Sequence, residues 1–198
     1  MKKAAIVYWL LPAKPERELF CEIIRILRNE FDAPSFEPHL TLFVTASGRQ
    51  SPARILRQIR SGPIRLSARG VAFSPKFTKA LYVRFKPNPS LRKLCLDLRH
   101  AAKSRAPSPI DPHVSLLYKK TSRAAKKELA QVMKLPFRTA LFDSIAAVRL
   151  TLPVRTRANV EAWRIIASKK LGRSLEEAWP VKNGAAPTTA PLVRQMSC

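Results

Sequence analysis

Two histidines of this chain lie in copies of one pentapeptide. Pro38-His39-Leu40-Thr41-Leu42 returns as Pro112-His113-Val114-Ser115-Leu116, and the two copies hold two of only three histidines. In an extended strand, side chains alternate between faces. His39 and Thr41 would share one face while Leu40 and Leu42 take the other, and His113 and Ser115 would do the same against Val114 and Leu116. Each copy therefore offers an imidazole beside a hydroxyl on one side of a sheet, anchored by aliphatic side chains on the other. Two imidazoles can serve as base and acid, and two hydroxyls can hold the oxygens of a phosphate.

The paired His-x-Thr/Ser motifs resemble those of the two-histidine phosphoesterases, and the flanking residues are most similar to the cyclic phosphodiesterase branch. The likeness covers roughly residues 4–171. Tyr8-Trp9-Leu10-Leu11-Pro12 is similar to that branch's opening strand, Phe36-Glu37-Pro38-His39 to its approach to the first motif, and His113-Val114-Ser115-Leu116-Leu117-Tyr118 to its second motif. A late Trp163 also fits the pattern, whereas the charge and the tail depart from it. The resemblance implies an α+β fold of two antiparallel sheet lobes, related by a pseudo-twofold, flanking a central cleft with helices outside. It also implies a catalytic set of His39, Thr41, His113 and Ser115. Trp9 and Tyr118 are candidate substrate contacts because aromatic faces stack on bases; the other reading makes both core aromatics. Strict alternation puts Tyr118 on the opposite parity from His113, so a bulge is needed to turn it toward a cleft.

The residue types suit the opening of a strained 2′,3′-cyclic phosphate. One imidazole would activate water and the other would protonate the leaving oxygen; an unperturbed histidine pKa near 6.5 serves both tasks. The expectation is a bell-shaped pH profile, with Thr41 and Ser115 donating to the non-bridging oxygens. Nothing in the residues says which histidine is the base. The substrate expected is a nucleotide carrying a cyclic phosphate, either a 2′,3′-cyclic nucleotide or ADP-ribose 1″,2″-cyclic phosphate. RNA ends are an enzymatic alternative, and a non-catalytic basic RNA-binding protein is an alternative of another class. No cofactor is expected, and no metal, since no cluster of three or four ligating residues stands out. Five scattered glycines form no phosphate-binding P-loop.

The formal charge is +24, from 37 basic and 13 acidic residues. Residues 173–198 contribute three basic and two acidic side chains, so the body carries nearly all of it. Such a field draws phosphates. No apolar run approaches the length of a membrane span, so no membrane association is expected. Three cysteines without a CxxC pair point to a reducing cytoplasm, with Cys21 and Cys95 packing as small hydrophobes. A monomer is the simplest expectation. Residues 1–172 read as one domain, and 173–198, rich in Ala, Pro, Thr and Ser, as a disordered tail.

Periodicity gives alternating strands and helices. Ile6–Leu11 reads as a strand and Pro15 opens a helix carrying Phe20, Ile24 and Leu27. A short helix over Pro52–Arg60, a strand pair over 64–85 and a helix carrying Leu91, Leu94 and Leu98 lead to the second motif. Ser122 can cap the next helix. Strands at 139–142 and 145–152 precede a last helix over Asn159–Leu171, in which Trp163 would be a packing residue. Strand, helix and motif strand thus occur twice, 74 positions apart.

Overall fold

The computed structural model describes residues 3–46, 51–104 and 111–172. The expected tail, 173–198, and the prolines at 107 and 109 lie outside them. Chain order is β1 (Lys3–Pro12), α1 (Glu16–Phe31), β2 (Leu40–Ala46), α2 (Pro52–Gln58), β3 (Ile64–Phe73), a 3₁₀ turn (Phe77–Lys79), β4 (Leu81–Phe85), α3 (Pro89–Ala101), β5 (His113–Leu117), α4 (Arg123–Val132), β6 (Thr139–Leu152), α5 (Arg157–Glu161) and β7 (Arg164–Lys170). Asn88 accepts the Leu91 N–H to start α3, and Ser122 accepts that of Ala125 to start α4.

All strand pairs are antiparallel, in the order β1-β2-β5-β4-β3-β6-β7, and β1 also pairs with β6. Six strands therefore close into a ring, with β7 added beside β6. The ring repeats one unit twice. The first half runs β1-α1-β2-α2-β3 and the second β4-α3-β5-α4-β6. β1 pairs with β2 as β4 pairs with β5, and β3 pairs with β4 as β6 pairs with β1. The two remaining contacts, β2 with β5 and β3 with β6, join like to like across the pseudo-twofold. Two lobes result, β6-β1-β2 with β7, and β3-β4-β5.

Helix packing follows the same exchange. α1 packs on β5 and α3 on β2, while α2 packs on β6 and α4 on β3. Each half thus covers the other half's sheet, and neither buries its apolar side chains alone. The result is one main core in which Phe20, Leu27, Leu40, Leu42, Leu56, Leu94, Leu116 and Phe142 meet. Burial of this kind is the dominant favourable contribution to folding. β1 is covered on both faces. Ile6, Tyr8 and Leu10 enter the main core, and Ala5, Val7, Trp9 and Leu11 form a second cluster with Ala146, Val148 and Leu150. That double burial is why its sequence is a continuous apolar run instead of an alternating one.

Two local expectations are corrected. The strands at 139–142 and 145–152 are one strand, β6, whose first part pairs with β3 and whose second part pairs with β7 while β1 follows its other edge. The helix expected over 159–171 is only the five-residue α5; residues 164–170 form β7, paired with Ser144–Arg149. Val160, Trp163 and Ile166 fit helical spacing, but an open edge of β6 offers ladder hydrogen bonds that local periodicity does not register. Cys95 is a buried core residue on α3. Among the described residues, no helix is long and apolar enough to cross a membrane.

Candidate active site

The two motifs meet where the two halves meet. Leu40 pairs with Val114 in antiparallel register. His39 and Thr41 flank Leu40, and His113 and Ser115 flank Val114, so antiparallel pairing sets each histidine level with the other motif's hydroxyl. Leu40 and Val114 point into the main core. Strand alternation turns the four polar side chains toward the opposite face.

Both imidazoles are oriented in the same way. His39 Nδ1–H donates to the Glu37 carbonyl at 2.6 Å, and His113 Nδ1–H donates to the Asp111 carbonyl at 2.9 Å. Each ring thereby holds Nδ1 against its own chain and presents Nε2 away from it. The acidic side chains that precede the histidines are themselves held by cations. Glu37 Oε1 accepts from Arg17 Nε of α1 at 2.6 Å, and Asp111 is bound by Lys79 Nζ at 2.8 Å with Arg84 Nε at 3.5 Å. Each motif is thus an acid-Pro-His sequence, with the carbonyl of the acid fixing the ring and its carboxylate fixing the loop. The Arg17–Glu37 pair is mostly buried, and a hydrogen bond to a charged group contributes roughly 1.5–3 kcal/mol. Arg17→Met is expected to lower the urea-unfolding free energy by about that amount; an unchanged midpoint and slope would mean that the pair does not anchor this loop.

The surroundings of the two histidines differ. His39 is 6% exposed. Trp9 stacks on it with ring centroids 3.7 Å apart and planes within 11°, and Trp163 packs edge-on at 5.8 Å. Tyr118, 3% exposed, stacks on Phe36 and directs its hydroxyl at His39 Nε2 from 3.5 Å, a long contact that leaves this nitrogen able to take a better partner. Burial, with a smaller contribution from His113, pushes the His39 pKa down to about 3 against the lift from the Glu37 carbonyl. His113 is half-buried, beside Tyr82 at 5.2 Å. Its pKa is also lowered, first by burial and then by Lys79 and Lys76, while the Asp111 carbonyl and carboxylate oppose this. Asp111 is held below the ordinary carboxylate range, chiefly by its bond to Lys79.

The hydroxyls are placed unequally. Ser115 is buried and donates to the Thr78 carbonyl at 2.9 Å. Thr41 is half-buried and makes no side-chain hydrogen bond among the described residues. Trp9 and Tyr118 both sit against His39 instead of facing solvent. Trp163, placed by the sequence pattern in helix packing, closes the same aromatic wall between α5 and β7.

The model of the 2′-5′ RNA ligase superfamily matches residues 15–152, a span that contains both motifs. The chain belongs to this superfamily. The likeness to the two-histidine phosphoesterases is thereby borne out. A cyclic phosphodiesterase of Arabidopsis thaliana is 23% identical over 130 residues, covering 64% of this chain and 72% of that one. Among solved structures, apo LigT of E. coli aligns with a TM-score of 0.53 at 16% identity, covering 87% of this chain and all of that one. TT0787 of Thermus thermophilus aligns with a TM-score of 0.54 at 16% identity, covering 85% and 99%. At such identities the structures establish the shared α+β fold.

Within this superfamily fold, two features escaped the sequence pattern. Tyr82 is to the second motif what Trp9 is to the first. Trp9 pairs with Thr41 across β1 and β2, and Tyr82 pairs with Ser115 across β4 and β5. Trp9 precedes His39 by 30 residues and Tyr82 precedes His113 by 31, so aligning the halves from the histidines backward would have shown the equivalence. The same alignment pairs Glu37 with Asp111, the two residues whose carbonyls hold the rings. Among the described residues, no three His, Cys, Asp or Glu side chains cluster as metal ligands.

Proposed function

We propose that this protein is a cyclic phosphodiesterase that opens a 2′,3′-cyclic nucleotide or an ADP-ribose 1″,2″-cyclic phosphate to a phosphomonoester, with two histidines as base and acid and without a metal. The observation that carries this reading is the matched pair of imidazoles. Each has Nδ1 tied to a backbone carbonyl, which leaves Nε2 to meet a phosphate set between the motifs, at His39 in place of the long Tyr118 contact. The Arabidopsis relative, named a cyclic phosphodiesterase, supports the reaction class, and LigT structures with NADP+ and ATP support a nucleotide ligand.

The unequal burial of the two rings supports a division of roles. His39, whose pKa is depressed to about 3 by desolvation, starts neutral and serves as the base. His113, beside the Asp111 carboxylate, is the better placed to hold a proton and serves as the acid. Water loses its proton to His39 Nε2 as its oxygen bonds to phosphorus. The bond from phosphorus to one ring oxygen breaks, and that oxygen takes the proton from His113 Nε2. His39 ends protonated and His113 neutral, and solvent resets both. The anionic phosphate raises the proton affinity of both imidazoles once it lies between them. Thr41, with its free hydroxyl, can donate to a non-bridging oxygen directly; Ser115 does so by turning from the Thr78 carbonyl.

The test is hydrolysis of adenosine 2′,3′-cyclic phosphate in excess EDTA, with the 2′- and 3′-monophosphates resolved by chromatography. Metal-independent turnover to the 2′-phosphate, which means that the 3′-oxygen leaves, is the expected result. Turnover that disappears with EDTA and returns with a divalent cation would overturn the mechanism. A chain that binds RNA but hydrolyses no cyclic phosphate would overturn the enzyme reading altogether.

A further inference from the structure

Beside the two-histidine site lies a cavity of about 280 Å³ whose lining is strongly basic. Lys119 and Lys120 enter it just beyond the end of β5, Arg155 from the segment between β6 and α5, and Arg157 from the start of α5. Asp32 is the one acidic residue in the lining, so four cations face one carboxylate. The two pairs of cations are held differently. Arg157 bonds Asp32 Oδ1 at 2.7 Å, and Lys119 donates to the Asp32 carbonyl at 2.9 Å. These contacts join three separate loops into one wall. Lys120 and Arg155 are exposed and form no ion pair among the described residues. Half of the basic lining is therefore structural, and half is left for an anion.

The cavity adjoins the catalytic cleft through a single side chain. Tyr118 lines it, together with Phe77, and points its hydroxyl at His39 Nε2. Tyr118 is therefore the side chain that the cavity and the His39 site share. Both substrate types of the proposed reaction carry a second phosphoryl group on the C5 oxygen of the ribose that bears the cyclic phosphate. In an RNA end it is the phosphodiester on the 5′-oxygen of the terminal ribose. In ADP-ribose cyclic phosphate it is the pyrophosphate on the corresponding 5″-oxygen.

We infer that this pocket binds a 5′-phosphoryl group on the ribose that carries the cyclic phosphate, with Lys120 and Arg155 as its ligands. The inference rests on the proposed phosphodiesterase reading for the position of the ribose. It narrows the substrate class to nucleotides phosphorylated at both ends of that ribose, whereas a bare nucleoside cyclic phosphate leaves the pocket idle. Lys and Arg suit the task as point charge and planar fork.

Equilibrium binding of product-type ligands tests the pocket without requiring turnover. Titration calorimetry would compare adenosine 2′-phosphate with adenosine 2′,5′-bisphosphate, using wild type, Lys120→Ala/Arg155→Ala and the charge-reversed Lys120→Glu/Arg155→Glu. Wild type is expected to bind the bisphosphate about tenfold tighter or better. The preference should fall toward unity in the first variant and invert in the second, with affinity for the monophosphate unchanged. The salt dependence of bisphosphate binding should also become shallower in the first variant, since two screened attractions are removed. No preference in wild type, or one that survives both variants, overturns the inference. A dinucleotide ending in a 2′-phosphate and ADP-ribose 1″-phosphate then identify the source of the group. Whichever gains over adenosine 2′-phosphate must lose that gain in the variants, and gain by neither is also disproof. If wild type shows the preference yet hydrolyses no cyclic phosphate, the catalytic reading fails and the pocket stands. Hydrolysis without the preference removes the pocket and leaves the catalytic reading in place.

Discussion

A His113→Ala variant is expected to hydrolyse adenosine 2′,3′-cyclic phosphate about 10²–10⁴-fold more slowly than wild type, the usual range for losing a general acid or base. The effect should fall on kcat more than on KM, because proton delivery to the leaving oxygen matters only as the bond breaks. His39→Ala should lose a similar factor. Its loss mixes two causes, since removing the imidazole also removes the ring on which Trp9 stacks. His39→Gln keeps a polar side chain of similar reach and separates packing from proton transfer. Because the two histidines act on one displacement, the double variant should be little worse than either single one. Steady-state kinetics with circular dichroism as the control for folding would measure these variants beside wild type. A single variant that is folded and keeps more than a tenth of wild-type kcat would exclude its histidine from the chemistry.

The site was readable in the sequence to the extent that it is written as a local repeat. Each half places its His, its hydroxyl and its anchoring aliphatics within one strand, so alternation alone predicts who shares a face. Elements that depend on the partner half were less readable. Trp9 could have been one core aromatic among several in β1, and only the register of β1 against β2 puts it over His39. Tyr118 lies one residue beyond the end of β5. The alternation that would turn it away therefore does not govern it, and its ring follows the stack with Phe36 instead. Tyr82 gave no signal within its own strand; its role follows from superposing the halves. β7 was misread because its side chains are mostly exposed on an edge, where neither period is enforced by burial. What fixes it is the unpaired edge of β6, a feature of the assembled sheet.

Acid should weaken the fold through the same histidine to which the proposed mechanism gives the part of base. In the unfolded chain His39 titrates near 6.5, whereas in the fold burial takes its pKa to about 3. The folded pKa is the lower one, so acidification protonates the unfolded state first. The stability present above about pH 6.5 is therefore lost as pH falls toward 3, at roughly 1.4 kcal/mol per pH unit. Between pH 7 and pH 5 the loss is on the order of 2 kcal/mol, and His113, shifted in the same direction, adds to it. Urea unfolding at the two pH values should show this decline in wild type and a shallower one in His39→Gln, which has no proton to gain there. The same shifts alter the expected rate profile. The limb of kcat/KM that reports a neutral base lies near pH 3, below the range in which the fold persists well. Its other limb reports a protonated His113 and lies below about pH 6.5. Across the working range kcat/KM should therefore fall as pH rises, in place of a symmetric bell, while kcat extends to higher pH because bound phosphate favours the imidazolium. A kcat/KM that climbs from about pH 5 to about pH 7 would mean that the base titrates as an ordinary imidazole. His39, desolvated between Trp9 and Tyr118, could not then be that base, and the assignment of roles would have to be exchanged.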